Sequence, residues 1–494
     1  MTRNAAAILL TRGQGSEREV FLVERSPALR FFGGYWALPG GVRDPGDGED
    51  MEGDDRPALR RCAVRELFEE TGVLLASARP PVERRAVTRA QLLAGAAEGA
   101  AEFANLGLAD PAPGVLRDVC RILTPPFALA RYDTLFVHAE LPRGEVPSIE
   151  PGELVAGRFF APAAALAAWR RDELRLVPPL VILLELLVEH AALQTFVDAA
   201  ETLAATYRAG ALHRVRFSPG VLLLPLRTPT LPPATTTNCY VLGTRSLWVV
   251  DPGSPDAGEQ ARLFALLDEL VAEGAEVAGI LVTHHHRDHV GGVSATSRRY
   301  DAEVRGHPLT LERLPQGFRA GAPLLDGDRI DLGTAPDGTP GWFVEAVFTP
   351  GHDRGHLCFR ESRYDAMLVG DMLSTISTIV IDPPEGHLRT YLASLERLER
   401  ERLTTLYPAH GPAVRDGQNL VRHYLRHRGQ REQKLLTALD EGPCTEQELL
   451  PKVYWDVDPR LFPIAARSLA AGLAKLAEEG RARVDPTGRW HRHD

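Results

Sequence analysis

The residues with the clearest chemical potential lie in one short run of the chain. A mostly apolar segment, residues 280–283, leads into His284-His285-His286-Arg287-Asp288-His289, and the turn Gly291-Gly292 follows. Imidazole and carboxylate groups are ligands that zinc and similar divalent ions prefer, and an ion with an open coordination position can hold an attacking water. The run therefore predicts a metal site that supports hydrolysis.

Backbone geometry separates the histidines of this run. Alternate residues of an extended segment share a face, so His284 and His286 should point together while His285 points away. Asp288 and His289 follow after the chain turns, and they can serve a second ion. We therefore predict that His285 is not a ligand. The alternative is that the histidines are structural, or that they bind a structural metal ion that has no open coordination position.

Three further motifs supply ligand-type residues later in the chain. They are Thr349-Pro350-Gly351-His352, Leu368-Val369-Gly370-Asp371 and Tyr407-Pro408-Ala409-His410-Gly411. The order and context of all four motifs, over about residues 213–415, resemble the metallo-β-lactamase superfamily. The β-lactamases of that superfamily lack the aspartate found here at Asp371, so the resemblance favours other hydrolases.

This resemblance implies a dinuclear centre holding two Zn²⁺, Mn²⁺ or Fe²⁺ ions. The implied ligands are His284, His286 and His352 for one ion and Asp288, His289 and His410 for the other, with Asp371 bridging. Two ions about 3.5 to 4 Å apart lower the pKa of a shared water and clamp the attacking and leaving oxygens, which makes Asp288 and Asp371 the expected catalytic residues. Asp251 and His356 match positions that orient ligands, and a substrate contact is an alternative for His356.

The segment that begins at Asp371 indicates which bond the enzyme is expected to hydrolyse. Residues 371–412 and the tail after them resemble the β-lactamase-like protein 2 family, whose members are single-stranded RNA endonucleases with a helical C-terminal domain. The resemblance implies cleavage of RNA phosphodiester bonds. The alternative enzyme is a glyoxalase II-type thioesterase that acts on acyl-coenzyme A or similar thioesters.

Basic residues in the tail could follow the phosphates of a single strand. These residues are Arg422, Arg426, Arg428, Arg431 and Lys434. A solvated helix face beside the acids of the same segment is the alternative interpretation.

A second cluster of acids lies near the start of the chain, in Arg65-Glu66-Leu67-Phe68-Glu69-Glu70-Thr71-Gly72-Val73. On a helix, Glu66, Glu69 and Glu70 share a face. Close carboxylates repel one another unless a cation joins them, and ligation by oxygen alone favours Mg²⁺ or Mn²⁺. The segment therefore predicts a metal site, and an acidic solvated helix face is the alternative.

This segment resembles the latter half of the Nudix signature, with Leu38-Pro39-Gly40-Gly41 before it. About ten extra residues, around Asp44 to Asp55, interrupt the signature, and Pro57 stands at its intermediate glutamate position. The coenzyme A diphosphatase branch represented by Nudix motif 19 is interrupted similarly. The resemblance, over roughly residues 5–205, implies diphosphate hydrolysis with Glu69 and Glu70 catalytic and a nucleoside diphosphate as a candidate substrate. A sensor that binds nucleotide or coenzyme without turnover is the alternative.

Length and composition limit the classes of protein. A chain of 494 residues with 44% hydrophobic and 25% charged residues predicts several globular domains. The net charge of −10 argues against a surface built for duplex DNA or an anionic membrane. Five separated cysteines predict a reducing compartment, and short apolar runs predict no membrane span, so we expect a soluble cytoplasmic protein.

The elements that must position these residues divide into three stretches. Strand-like segments and a helix over Ala58–Phe68 precede Ala-rich segments, including Leu92–Phe103, that favour helices. Short apolar strands begin after Leu212, and from about Val421 the chain is helical until a final hairpin. We predict a multidomain protein of the α/β and α+β classes. Its predicted domains are residues 1–210, a Nudix α/β/α sandwich; residues 211–420, a metallo-β-lactamase αββα sandwich; and residues 421–494, a winged-helix-like module.

Overall fold

The computed structural model describes residues 2–29, 32–50, 53–128 and 130–493. It divides into two compact units, one up to Pro219 and one from Gly220. Residues 51 and 52 of the acidic insertion lie outside the described residues. Across the part of the chain that the structure describes, no helix has both the length and the apolar character that crossing a membrane requires.

Within the described residues, the first unit has seven strands in one sheet. They are β1 (Thr2–Arg12), β2 (Glu19–Arg25), β3 (Trp36–Ala37), β4 (Gly40–Val42), β5 (Arg117–Leu123), β6 (Arg131–Glu140) and β7 (Leu154–Phe160). The path of the sheet is β3-β2-β1-β6-β5, with β4 paired to β1 and β7 paired to β2. Strand β1 runs parallel to β6 and antiparallel to β2 and β4.

Helices cover both faces of this sheet. They are α1 (Arg56–Thr71), α2 (Val82–Leu93), α3 (Ala97–Asn105), α4 (Pro162–Arg170), α5 (Pro178–Glu189) and α6 (Leu193–Arg208). Successive residues of a strand face opposite sides. Ile8 and Leu10 therefore pack in the core that α1 closes, whereas Leu9 packs in the core that α5 and α6 close. This is the predicted α/β/α sandwich.

One predicted helix of this unit is wrong. The Ala-rich stretch Leu92–Phe103 is not continuous, since α2 ends at Leu93 and α3 begins at Ala97. Gly95 between them has φ of +65°, a left-handed conformation that reverses the chain and that glycine adopts without strain. Alanine content favours helix on both sides of this turn but does not locate it.

The second unit begins with two six-stranded sheets. The first has the order β13-β12-β11-β10-β9-β8 and the second has the order β14-β15-β16-β17-β18-β19. Their strands are β8 (Val221–Arg227), β9 (Thr236–Leu242), β10 (Ser246–Val250), β11 (Glu276–Leu281), β12 (Glu303–Arg305), β13 (Arg319–Ala320), β14 (Arg329–Thr334), β15 (Pro340–Phe348), β16 (Leu357–Glu361), β17 (Ala366–Gly370), β18 (Thr405–Pro408) and β19 (Val414–Arg415).

Helices connect the strands and cover the two sheets. They are α7 (Ala257–Ala272), α8 (Arg287–Val290), α9 (Val293–Tyr300), α10 (Pro308–Leu311), α11 (Leu388–Arg400) and the start of α12 (Gly417–Asp440), of which α8 lies at the edge that carries the predicted ligands. Buried side chains of the second sheet, such as Met367 and Leu406, share a core with Leu395 of α11 and Val421 of α12. This arrangement is the predicted αββα sandwich.

The C-terminal module is built on the far half of α12. It adds α13 (Glu446–Val453), α14 (Phe462–Glu478) and the hairpin β20 (Ala482–Val484) with β21 (Trp490–Arg492). Its core includes Leu435, Leu449, Leu469 and Leu473. Thr445 begins α13 with a capping box, because its side chain accepts from the Glu448 amide while the Glu448 carboxylate accepts from the Thr445 amide. Helices followed by a hairpin give the predicted winged-helix topology.

Candidate metal centre

The predicted ligands of the second unit come from the ends of strands in both sheets. His284 and His286 follow β11, and His352 follows β15. Asp371 and His410 come directly after β17 and shortly after β18, which run parallel. Because strands of both sheets end at one edge of the sandwich, ligand-type residues far apart in sequence meet there. The seven predicted ligands fall into two close groups that adjoin at Asp371.

The first group consists of His284, His286, His352 and Asp371, whose ligand atoms lie within 4.8 Å of one another. Nδ1 of His286 is 3.0 Å from Nε2 of His284 and 3.0 Å from Nε2 of His352. Nε2 of His352 is 3.4 Å from Oδ2 of Asp371. Atoms bound tetrahedrally to one zinc ion lie about 3.3 Å apart, so this spacing fits a single cation.

The second group consists of Asp288, His289 and His410. Oδ2 of Asp288 lies 3.8 Å from Nε2 of His289 and 3.6 Å from Nε2 of His410. The other carboxylate oxygen of Asp371, Oδ1, is 3.6 Å from Nε2 of His289 and 3.3 Å from Nε2 of His410. Asp371 therefore presents one oxygen to each group, which is the geometry of a bridging ligand.

Three histidines of the two groups turn Nε2 inward and donate from Nδ1 to an oxygen of the chain. The donor and acceptor pairs are His352 Nδ1 with the Val380 carbonyl at 2.9 Å, His410 Nδ1 with the Thr236 carbonyl at 3.1 Å, and His289 Nδ1 with the Asp251 carboxylate at 2.8 Å. Carbonyl and carboxylate oxygens only accept, so each of these three rings carries a hydrogen on Nδ1 and turns Nε2 toward the centre. Such outer hydrogen bonds fix the orientation of metal-ligating histidines.

Asp251 organises ligands of both groups. Besides His289, it accepts hydrogen bonds from the amide of Thr283 at 2.8 Å and from the Thr283 hydroxyl at 2.6 Å. The same hydroxyl lies 3.0 Å from Nδ1 of His284 and accepts from it. Asp251 has φ of +48°, a left-handed conformation that aspartate and asparagine tolerate better than most residues. Asp251 is thus an orienting residue, as the sequence predicts.

His356 supports the bridging residue from behind. It is fully buried, its Nδ1 lies 2.9 Å from the Thr349 hydroxyl, and its Nε2 accepts from the backbone amide of Asp371 at 3.1 Å. Gly370 permits this approach, since a side chain there would meet the His356 ring. Both nitrogens of His356 are therefore used within the chain, which leaves an orienting role and not a substrate contact.

The electrostatics of the centre suit a cation. Burial lowers the pKa of His284 well below its ordinary value and lowers that of His286 to about 4, so both rings are neutral. Burial favours the neutral form of Asp371, but the charges of His410 and His289 outweigh it and hold its pKa well below the usual range. Nε2 of His289 and Oδ1 of Asp371 are buried atoms with no hydrogen-bond partner among the described residues. The donor set therefore fits divalent ions.

His285 lies beside this centre but engages a different partner. Its Nδ1 pairs with the buried carboxylate of Asp353. Burial of Asp353 opposes its ionisation, yet the hydrogen bonds from His285 and from the Gly355 amide lower its pKa to about 2. His285, Asp353 and His286 also form a third group of ligand-type atoms, so the exclusion of His285 as a ligand stays a prediction.

The three predicted carboxylates of the first unit lie on α1, and two of them contact a buried guanidinium. Nη1 of Arg65 is 2.9 Å from Oε1 of Glu66 and 3.3 Å from Oε2 of Glu69, while Glu70 accepts from the amide of Gly40 at 3.0 Å. Burial raises the pKa of Glu66 to about 7 and raises that of Glu69, and burial together with Glu66 raises that of Glu70. Among the described residues, these three acids do not form a group with ligand atoms within 4.8 Å.

Sequence reasoning missed the main partner of that guanidinium. Asp47 pairs with Arg65 through two contacts, Nε to Oδ1 at 2.8 Å and Nη2 to Oδ2 at 3.0 Å, and both side chains are buried. Asp47 lies in the inserted segment, where it closes the short 3₁₀ turn Pro45–Asp47 through a capping box with Asp44. The acidity of the insertion was the only signal, and it could not tell which acid turns inward.

The basic residues of the tail make contacts within the second unit. The buried guanidinium of Arg428 donates to the carbonyl of Ile379. The other pairs are Arg431 with Asp456 at 2.8 Å, Lys434 with Asp456 at 2.8 Å, and Arg422 with Glu399 at 3.1 Å. Arg426 is exposed. Four of the five cations that suggested a path for phosphates therefore contact groups of the chain itself.

Three family models match separate parts of the chain. Residues 232–410 match the metallo-beta-lactamase superfamily, residues 445–490 match the beta-lactamase associated winged helix domain, and residues 1–91 match the NUDIX domain. The predicted resemblances and the predicted fold class are confirmed. The metallo-beta-lactamase and NUDIX families are hydrolases that generally bind divalent metals, so the chain is a hydrolase with sites of the kind that such metals occupy.

Relatives of known name cover one unit or the other. The beta-lactamase-like protein 2 homolog of Drosophila melanogaster is 28% identical over 261 residues, which are 50% of this chain and 84% of that protein. The atrochrysone carboxyl ACP thioesterase nsrC of Aspergillus novofumigatus is 29% identical over 268 residues, 51% of this chain and 77% of that protein. The crystal structure of a NUDIX hydrolase from Alicyclobacillus acidocaldarius is 30% identical and covers 41% of this chain and 97% of that chain, with a TM-score of 0.36.

Proposed function

We propose that the metal centre binds two divalent cations and that the metallo-beta-lactamase domain hydrolyses a thioester of coenzyme A or of a carrier protein. The two-ion part rests on one observation, namely that Asp371 presents one oxygen to each of two histidine-rich groups. Histidine-rich groups with carboxylates favour Zn²⁺, with Mn²⁺ or Fe²⁺ as alternatives. Two such ions, when bound, activate a water and stabilise the charge that develops on the substrate.

The side chains of the centre have separate roles in this proposal. Asp371 fixes the distance between the two groups, and its own backbone is held by His356. Asp288 lies at the second group, where the Thr237 hydroxyl donates to its Oδ2 at 3.3 Å. We assign catalytic roles to Asp288 and Asp371 because both are acids whose carboxylate oxygens lie close to Nε2 of His410, at 3.6 Å and 3.3 Å. Asp251 orients His289 and, through Thr283, His284.

Two observations favour a thioester over RNA as the substrate. The internal contacts of Arg422, Arg428, Arg431 and Lys434 leave fewer free cations for phosphates than the sequence suggests. In addition, a carrier-protein thioesterase is among the relatives. The interrupted signature of the NUDIX domain also resembles, in sequence alone, a branch that acts on coenzyme A. Acyl-pantetheine compounds, such as acyl-coenzyme A, would then be substrates of both the metallo-beta-lactamase domain and the NUDIX domain.

A thiol-release assay tests the thioester proposal. The full-length protein, loaded with Zn²⁺ or Mn²⁺, should release free thiol from one or more members of a panel of acyl-coenzyme A and acyl-carrier thioesters. Asp371→Asn should abolish the release, because the shared carboxylate loses its charge, whereas Asp301→Asn on the exposed end of α9 should not change it. A metal-loaded protein that leaves every thioester intact would contradict the thioester assignment.

RNA cleavage is the second candidate. The chain matches beta-lactamase-like protein 2 homologs and carries a winged-helix domain, and Arg426 on α12 is exposed. End-labelled single-stranded RNA, incubated with the same metal-loaded preparations, separates the two candidates. Cleavage that disappears in Asp371→Asn, together with inert thioesters, would replace the first assignment by the second.

We also propose that Glu66, Glu69 and Glu70 bind Mg²⁺ or Mn²⁺ and support hydrolysis of a diphosphate linked to another moiety. The supporting observation is that burial raises the pKa of all three acids, so a cation would relieve both their desolvation and their mutual repulsion. Coenzyme A and nucleoside diphosphates are the first substrates to test, with Glu69→Gln and Glu70→Gln as inactive variants. Binding of these compounds without turnover would favour a sensor that regulates the hydrolase.

A further inference from the structure

Three metal-centre residues depend on one loop of the second unit. This loop, residues 371–380, follows β17, and we call it the centre loop. It begins with Asp371, and its last carbonyl, that of Val380, accepts from Nδ1 of His352 at 2.9 Å. The amide of Thr375 within it donates to the carbonyl of His410 at 3.2 Å. A shift of the centre loop would therefore move ligands of both groups.

Helix α12 holds the centre loop through the hydroxyl of Tyr424. This hydroxyl accepts from the amide of Ser374 at 2.9 Å and lies 2.7 Å from the carbonyl of Ser377, to which it can donate. Tyr424 itself is buried, so water does not compete for these groups. A single side chain thus joins two backbone positions in the middle of the loop.

Arg428, one helical turn further along α12, holds the end of the loop. Its guanidinium donates to the carbonyl of Ile379, the residue before Val380. It lies over the ring of Tyr391, with 5.3 Å between Cζ and the ring centroid, and the Tyr391 hydroxyl donates to the carbonyl of Met372 at 2.7 Å. A buried cation with so fixed a position constrains the carbonyl next to the one that orients His352.

The same helix forms part of the winged-helix core. Leu435, Leu436 and Leu439 near the end of α12 pack with α13 and α14. One rigid element therefore connects the C-terminal module to the loop that supports the metal ligands. Tyr424 and Arg428 of this helix therefore hold the centre loop in place.

We infer that Tyr424 and Arg428 are positioning residues of the metal centre, and that through them the C-terminal module sets the affinity of the centre for its ions. The inference rests on the proposed two-ion centre, but not on the identity of the substrate. If these side chains only stabilise the fold, their removal lowers the free energy of unfolding and leaves metal retention by the folded protein unchanged.

Metal release from the full-length protein tests the inference. The test variants are Tyr424→Phe, which keeps the ring and removes the hydroxyl, and Arg428→Met, which keeps the length and removes the charge. The matched controls are Tyr454→Phe and Arg431→Met, since both residues lie in the C-terminal module and pack against each other there. Each protein is loaded with Zn²⁺ or Co²⁺ and diluted into a chromophoric chelator, while circular dichroism follows folding.

We expect Tyr424→Phe and Arg428→Met to release metal roughly 10-fold faster than wild type, the lower end of the effect of losing groups that hydrogen-bond metal ligands, because both residues act one contact further out. The visible absorption of bound Co²⁺ should also change in these two variants. The controls should match wild type in both measurements. Folded Tyr424→Phe protein that keeps wild-type release rates and an unchanged Co²⁺ spectrum would overturn the inference. Release rates do not depend on which substrate is hydrolysed, so a failed thioester assay leaves this inference intact. A wild-type chain that retains no divalent ion would overturn both the two-ion centre and this inference.

Discussion

Replacement of Asp251 by asparagine separates the two ligand groups experimentally. The carboxylate of Asp251 accepts from His289 in the second group at 2.8 Å, whereas it reaches His284 in the first group only through the Thr283 hydroxyl. Asparagine keeps the size and tolerates the φ of +48° at this position. The substitution therefore removes charge without forcing the backbone to move.

The magnitude follows from the type of hydrogen bond that is lost. A hydrogen bond to a charged group contributes about 1.5 to 3 kcal/mol, compared with about 1 kcal/mol for a neutral pair. A tenfold change in affinity corresponds to about 1.4 kcal/mol. Asp251→Asn should therefore weaken metal binding at the group of Asp288, His289 and His410 by roughly 10-fold, and by up to about 100-fold if the amide nitrogen faces His289. The first group should lose less, since its link to Asp251 is a neutral hydroxyl.

Stepwise titration of the metal-free protein with Zn²⁺ against a competing chelator measures both affinities. Wild type should bind two ions, and Asp251→Asn should bind the second of them more weakly. Asp301→Asn is the matched control, because Asp301 also has a left-handed φ, of +49°, but lies exposed at the end of α9. Equal weakening of both ions, or no weakening of either, would refute the assignment of Asp251 to His289.

Four further outcomes are expected. Asp47→Asn leaves the buried charge of Arg65 with only its glutamate partners, so it should lower the free energy of unfolding by about 3 kcal/mol in urea titrations, whereas Asp50→Asn in the same insertion should have little effect. Because burial raises the pKa of Glu66 to about 7 and Mg²⁺ binds the ionised form, calorimetric Mg²⁺ affinity should rise as the pH approaches 7 and then level off; a flat profile would count against Glu66 as a ligand. The free energy of unfolding of the metal-free protein should change in the opposite direction with pH. Folded Glu66 keeps a proton that the unfolded chain loses above its ordinary pKa of 4.5, so the protein should become less stable from about pH 4.5 to pH 7. Removal of the ions with a chelator should lower the unfolding temperature measured by scanning calorimetry, because bound ligand adds about 4 kcal/mol at a thousandfold excess over its dissociation constant; an unchanged temperature would mean that no such ion is bound.

The convergence of the metal-centre residues could be predicted because each one lies in a segment that follows an apolar strand within a few residues. Asp371, for example, comes at the end of Ala366–Gly370, which is buried throughout. Strand ends meet at the edges of sheets, so residues of this kind can be expected to gather even when their positions in the chain are far apart. The alternation that pairs His284 with His286 is equally local, and the structure brings their facing nitrogens to 3.0 Å.

Hydrogen-bond partners across the fold could not be predicted in the same way. The sequence places Asp251 near the centre by resemblance, but the contact to His289 joins residues 38 positions apart. Asp47 was harder still, because the insertion that carries it contains several acids with no periodicity. Only the folded turn shows that Asp47, and not one of the neighbouring acids, is the partner of Arg65.

The tail illustrates why charge along a helix does not by itself specify a partner. Arg426 and Arg428 are two positions apart and carry the same charge, yet the first is exposed and the second is buried against Tyr391 of α11. What decides between them is the neighbouring helix, whose position depends on the packing of the whole second sheet. Because the guanidinium of Arg428 is buried and bonded to a backbone carbonyl, it is not available to bind the phosphates of RNA. The charge of Arg428 therefore helps to hold the loop beside the metal centre, and this holds whichever bond the hydrolase cleaves.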